Sequence, residues 1–200
     1  MPRLLQINIT ANWGSHGKIA EMLGQTVIKA GWQSYIAYGR WYNKSKSQLY
    51  HIGNPIDEYI HGLGARLLDN QGLLSHHVTK QLVKYITSIQ PDIIHLHNIH
   101  GYYLNYPLLF NYLSSSNTPV VWTLHDCWAF TGHCAHYMSV NCKKWMTHCQ
   151  DCPLKHAYPA SWLIDRSYKN FEDKRRLFLS VKKLTIVPVS KWLEKDLRKS

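Results

Sequence analysis

Leu4-Leu5-Gln6-Ile7-Asn8-Ile9, followed by Asn12-Trp13-Gly14-Ser15-His16-Gly17-Lys18, is the stretch that decides the fold. The first string has the length and apolar content of a strand, and the second is dense in the glycine and small polar residues that punctuate a chain. Ile19, Met22, Leu23, Thr26, Val27 and Ala30 then recur at three- and four-residue steps, the spacing of one helical face, until Gly31 supplies the stop. Ser34-Tyr35-Ile36-Ala37-Tyr38 resumes as strand. Strand, loop, helix and strand in forty residues make a βαβ unit, which predicts parallel pairing through a right-handed crossover.

The same alternation continues outward from this unit. Between Gly39 and about Ser75 the pattern is thin: Arg40 to Lys46 is polar, Asn54-Pro55 is a turn, and Ile56 to Leu68 reads as helix. Val78, Leu82, Val83, Ile86 and Ile89 mark an amphipathic helix that Pro91 ends, and Asp92 to His97 follows as a short, largely apolar strand of the kind parallel sheets bury. Tyr106 to Leu113 suits a helix with proline in its first turn, and Pro119 to Leu124 is the next strand. Later, Asp173 to Ser180 reads as helix, Leu184 to Val189 as strand, and Ser190 as the cap of a helix through Arg198. The expected fold is α/β: a Rossmann-like, mostly parallel sheet with helices on both faces and a Cys-rich insert at about residues 127–156.

Composition agrees with a packed domain. The chain is 45% hydrophobic and 18% charged over 200 residues, which excludes a disordered or collagen-like polymer. No apolar run approaches the roughly 18 residues of a membrane span, and Gln6 and Asn8 interrupt the first apolar stretch before a signal-peptide core forms. A cytoplasmic, soluble chain is expected. The net charge of +11 favours anionic partners, and nine of the 23 Lys and Arg residues lie between Lys174 and Lys199. All five cysteines fall between Cys127 and Cys152; an odd number without a secretory signal argues against a complete disulfide framework.

In a parallel α/β sheet, ligands bind beyond the carboxyl ends of the strands, so the residues that follow each strand are the candidates. After the first strand come Gly14, Ser15, His16, Gly17 and Lys18, small enough for backbone N–H groups to approach an anion. The loop matches neither G-x-G-x-x-G nor the P-loop, so a plain turn is an equal reading. After the later strands come His97, Asn98, His100, Tyr102 and Tyr103, then His125 and Asp126. His95, inside its strand, reads as a core residue. His97 and His125 each end an apolar run and read as ligand-facing groups able to donate to a sugar hydroxyl or phosphate, with Asp126 placed to orient an imidazole. In the insert, Cys149-x2-Cys152 has zinc-ligand spacing, and Cys134 with Cys142 completes a four-thiolate set; His133, His136 and His148 are alternative donors. A structural zinc and buried reduced thiols are both open. A catalytic zinc is not expected, because four protein ligands leave no open position.

Gly14-Ser15-His16-Gly17-Lys18-Ile19-Ala20-Glu21, Ala37-Tyr38-Gly39-Arg40, Pro91 to Asn98 and Thr123-Leu124-His125-Asp126, with Trp128 and the cysteine cluster after them, resemble bacterial polysaccharide-biosynthesis glycosyltransferases of family 4. The likeness covers nearly the whole chain and is closest to the amino-terminal, acceptor-side domain of those two-domain GT-B enzymes. It implies retaining transfer of a hexosyl group from a nucleotide-sugar donor to a saccharide or lipid-diphosphate-linked saccharide, without an essential metal. By motif match, Gly14, Gly17 and Lys18 would approach the donor diphosphate, His125 and Asp126 would serve the reacting sugar, and His97, Asn98 and Tyr102 would line the acceptor side. The resemblance further implies that residues 1–190 form this domain and 191–200 begin an interdomain connection. The carboxy-terminal donor-binding domain would then be a missing partner, and the chain alone would be inactive. A lipid-linked acceptor and the basic tail together suggest a peripheral place on the anionic inner face of the plasma membrane. The rival reading, a basic zinc-containing nucleic-acid-binding module, fits the charge and the aromatics, but no recognition motif accompanies them and nucleic acid is not expected as a partner.

Overall fold

The computed structural model describes residues 1–200. Six strands, β1 (Arg3–Asn8), β2 (Gln33–Tyr38), β3 (Gln48–His51), β4 (Ile93–Leu96), β5 (Val120–Leu124) and β6 (Leu184–Pro188), form one sheet in the order β3-β2-β1-β4-β5-β6. Every neighbouring pair is parallel. The chain therefore winds outward from β1 in one direction and, from β4 onward, in the other. This puts the topological switch point between β1 and β4 and gathers the carboxyl ends of β1, β4 and β5 side by side.

Six helices complete the layers: α1 (Gly14–Lys29), α2 (Pro55–Leu68), α3 (His76–Ile89), α4 (Tyr106–Ser115), α5 (Ser167–Phe178) and α6 (Lys191–Leu197). Local chemistry starts several of them. Asn54 accepts hydrogen bonds from the Ile56 and Asp57 amides ahead of Pro55, Asn105 accepts from Leu108, and Ser190 accepts from Leu193, each satisfying amide groups that a helix start leaves unpaired. Strand alternation then divides β1 between two layers. Leu5 and Ile7 join the main core with Ile94, Leu96, Leu82, Ile86, Leu109 and Phe110, while Gln6 and Asn8 face α1. On that second face α1 lies close to the sheet: a Cβ on Gly24 would sit 2.9 Å from the Ser34 hydroxyl and closer still to that of Ser47.

Three elements differ from the sequence reading. α1 begins at Gly14, so Gly14 to Lys18, read as loop, form its first turn. β3 is a short edge strand, QLYH, with little burial on either face, so no apolar run announces it. α5 starts six residues before the expected Asp173, because its first turns are fixed by distant partners rather than by an apolar stripe: Asn170 donates to the Asp69 carbonyl and Lys174 to the Trp128 carbonyl. The segment between Cys127 and Arg166 holds only three single-turn 3-10 helices. The expected tail is also more tightly engaged than its charge suggests. Lys174 is buried, Arg176 pairs with Asp173, Arg198 with Glu194, and Lys199 with Asp196, while Leu193 of α6 is fully covered. At the outer edge of the sheet, β6 leaves Ile186 and Val187 exposed beside an apolar groove of about 160 Å³. No helix is long and apolar enough to cross a membrane.

Candidate active site

Gln6 and Asn8, two residues apart on one face of the central strand, organise the rim. Gln6 is fully buried; its amide nitrogen donates to the Ala20 carbonyl at 2.7 Å, which turns its oxygen toward the Nε2–H of His97 at 3.0 Å. With Nε2 protonated, His97 Nδ1 is an acceptor and takes the Nε2–H of His125 at 3.3 Å. The relay leaves His125 Nδ1 as the free lone pair. Asn8 does the same work one position on. Its oxygen accepts from His16 Nδ1 at 3.1 Å and from the Asn98 amide at 3.2 Å, while its nitrogen donates to the Thr10 carbonyl. The His16 and His125 rings come within 5.8 Å of each other.

These imidazoles are held neutral. Burial, reinforced by His95, His125 and His16, lowers His97 to about 2, and burial with His125 and His100 lowers His16 to about 4. His125 is lowered as well, by burial, with the Asp126 carboxylate opposing. The cluster thus presents uncharged donors and acceptors near pH 7. Beside it α1 begins without a side-chain cap and without an acidic residue in its first turn, so its N-terminal amides and partial positive charge remain available.

The sequence candidates sort differently by access. His97, expected to line the acceptor side, is 2% exposed, and both of its ring nitrogens are bonded to protein, one of them to His125. Asp126 orients His100, not His125: its Oδ2 accepts from His100 Nε2 at 2.7 Å and its Oδ1 from the Trp128 amide at 2.9 Å. Burial pushes the Asp126 carboxyl up, but the His100 ring and these hydrogen bonds outweigh it and hold the group below its usual range. His95 bonds Thr123 Oγ1 at 2.8 Å and stacks on His97, as the core reading expects. Asn98 bonds through its backbone to Asn8, Ile9 and Tyr103, and its side-chain oxygen is buried without a partner.

Within the glycine loop, Gly14 has φ +65° with open space around it, whereas Gly17 is buried against Thr10, where a Cβ would meet the hydroxyl at 2.5 Å. Gly17 therefore serves close packing of α1 on the strand exit. Lys18 is exposed and makes no side-chain hydrogen bond or ion pair. Tyr102, at φ +70°, lines a separate open pocket of about 470 Å³ with Arg40, Glu58, Tyr59, Arg66 and Trp162. Arg66 stands over the Tyr102 ring at 5.6 Å without a carboxylate partner, and Arg40 is paired with Glu58. Of the four cysteines proposed as ligands, all line one small cavity away from this rim. Sequence reading passed over Gln6, Asn8 and Arg66; polar residues at alternate positions of a buried central strand were the available signal for the first two.

A parallel sheet whose switch point carries polar side chains and an uncapped helix start is a Rossmann-like ligand-binding domain. The chain belongs to Glycosyltransferase Family 4, which residues 17–200 match. It is 30% identical over 189 residues to a protein of Escherichia coli (strain K12) described as a putative colanic acid biosynthesis glycosyl transferase, WcaC. That alignment covers 88% of this chain and 45% of the relative, so the chain spans less than half the relative's length.

Proposed function

We propose that this chain is the acceptor-side half of a retaining hexosyltransferase that moves a sugar from a nucleotide-sugar donor onto a saccharide or lipid-diphosphate-linked saccharide in cell-surface polysaccharide synthesis. The observation that carries this reading is the Ala20–Gln6–His97–His125 chain, which fixes one neutral imidazole at the mouth of the switch point beside the α1 N-terminus. In this reading His125 contacts the donor sugar near its reacting carbon. The N-terminal amides of α1, reached across the open Gly14 turn, face charge that develops on the departing diphosphate. His16 borders the same space. The open pocket of Tyr102 and Arg66 takes the acceptor, with aromatic faces for sugar rings and an unpaired guanidinium for hydroxyls or phosphate. The rate gain comes from positioning and electrostatics rather than from a side-chain nucleophile.

The site is one wall of a cleft, and the other wall, with most of the donor contacts, lies in a second domain. The chain of 200 residues therefore binds acceptor weakly and does not turn over. The test uses the longer enzyme with a panel of nucleotide sugars and lipid-linked acceptors, following nucleoside diphosphate release. His125→Ala should lower kcat by about 100-fold, corresponding to the loss of one positioned hydrogen-bonding group, with little loss of melting temperature. Unchanged turnover in that variant, or turnover by the 200-residue chain alone, refutes the assignment.

A further inference from the structure

The segment between β5 and α5 is built around sulfur. Cys134, Cys142, Cys149 and Cys152 line one cavity of about 10 Å³ together with His133, Trp145 and Ser167. A space of that size suits a single atom-sized guest and is at the lower limit for a water. Cys127 lies fully buried outside it.

The surroundings make little sense for four ordinary thiols. His133 is fully buried; its Nδ1 is held by Asp69 at 2.6 Å, yet its Nε2 has no partner. A buried ring nitrogen left without a partner at the cavity wall marks a site that lacks an occupant. The Lys174 ammonium is buried without any carboxylate contact; it donates to the Trp128 carbonyl at 2.7 Å and stands 4.0 Å over that residue's ring. A buried cation of this kind needs a compensating negative charge nearby. Gly132 lets the backbone pass close to this cluster: a Cβ there would lie 2.7 Å from that of Cys149. Finally, the chain from Cys127 to Arg166 has no strand and no helix beyond single turns, so turn and loop hydrogen bonds rather than a regular ladder hold its backbone.

We propose that Cys134, Cys142, Cys149 and Cys152 bind one structural zinc ion as thiolates. As the side chains stand they line one cavity but are not closed into a ligating set. Binding turns the sulfurs to a common centre and passes the four thiol protons to solvent. The resulting centre is doubly negative, and the buried Lys174 ammonium offsets that charge. This assignment does not depend on the glycosyl-transfer reading.

The chain purified without added metal is analysed for zinc by mass spectrometry, and its thiols are titrated before and after chelation. Cobalt(II) is then substituted to read sulfur-to-metal charge transfer. About one zinc per chain is expected, with four thiols becoming reactive only after chelation and a four-thiolate tetrahedral cobalt spectrum. Cys149→Ser and Cys142→Ser should each weaken that band, while Cys127→Ser and His133→Gln leave it in place. Less than about a tenth of a zinc per chain, with thiol reactivity unchanged by chelation, overturns the proposal, and this reading needs no variant to fold. So does a Cys127→Ser variant that loses as much metal as Cys149→Ser, or a His133→Gln variant whose cobalt spectrum shows that an imidazole ligand has been lost.

Discussion

Replacing Gly17 with alanine measures how tightly α1 is pressed onto the exit of β1. The added Cβ would lie 2.5 Å from the Thr10 hydroxyl and 3.4 Å from the Asn12 amide nitrogen. The first distance is about 1 Å inside ordinary contact. Rotation of the hydroxyl is opposed by its hydrogen bond to the Trp13 carbonyl at 2.8 Å in the same loop. Two effects therefore compete. Alanine restricts the unfolded chain and favours a helical position by about 1 kcal/mol, whereas overpacking against a fixed neighbour costs about 1–3 kcal/mol. The net expectation is a loss of about 0–2 kcal/mol. In a Thr10→Ala background the hydroxyl is gone and the sign reverses, with Gly17→Ala stabilising by about 0.5–1 kcal/mol. The four chains of this cycle are unfolded in urea and followed by tryptophan fluorescence and circular dichroism. A coupling energy below about 0.5 kcal/mol, or a Gly17→Ala variant more stable than the parent, refutes the claim that glycine is required here for close approach.

In the longer enzyme, Gln6→Leu removes the acceptor that fixes His97 and should lower kcat about 10- to 100-fold while the donor KM changes little; an effect confined to KM contradicts the relay. Arg66→Ala should raise the acceptor KM about tenfold with kcat nearly unchanged, and an unaltered KM places the acceptor elsewhere. His61 accepts from the Gly72 amide and bonds Ser75, and burial lowers it from an ordinary 6.5 to about 4. Because the folded value lies below the unfolded one, its neutral form contributes stability above pH 6.5 that is lost as pH falls toward 4, about 3 kcal/mol in all. His16, His95 and His97 are shifted the same way and add to that loss. A urea midpoint that stays constant between pH 7 and pH 5 argues against the assignment.

What the sequence makes legible here is whatever is local. Apolar runs that end in a histidine mark β4 and β5, and Asn54-Pro55 and Ser190 mark helix starts, because capping and burial leave their trace within a few residues. β3 leaves none, since its stability comes from pairing with β2 rather than from its own side chains. The partners of His97 and Asp126 are hidden from the sequence for a related reason. Burial of both ring nitrogens and the choice of His100 as Asp126's partner are settled by residues about 25 to 90 positions away, among them Gln6. Gln6 and Asn8 first register as interruptions of an apolar run, when in the folded chain they hold the rim together.

The exposed outer strand β6 has a bearing on how the chain behaves in concentrated solution. Its five residues, Leu184 to Pro188, carry no charge, and its free side offers unpaired backbone groups next to exposed Ile186 and Val187. Such an edge is a template on which a second molecule can add a strand. Pro188, which lacks an N–H, and the flanking Lys182, Lys183 and Lys191 oppose that growth at either end. Self-association of the isolated chain is thus governed by a few residues on the strand next to β5, and ionic strength, by screening those lysines, favours aggregation.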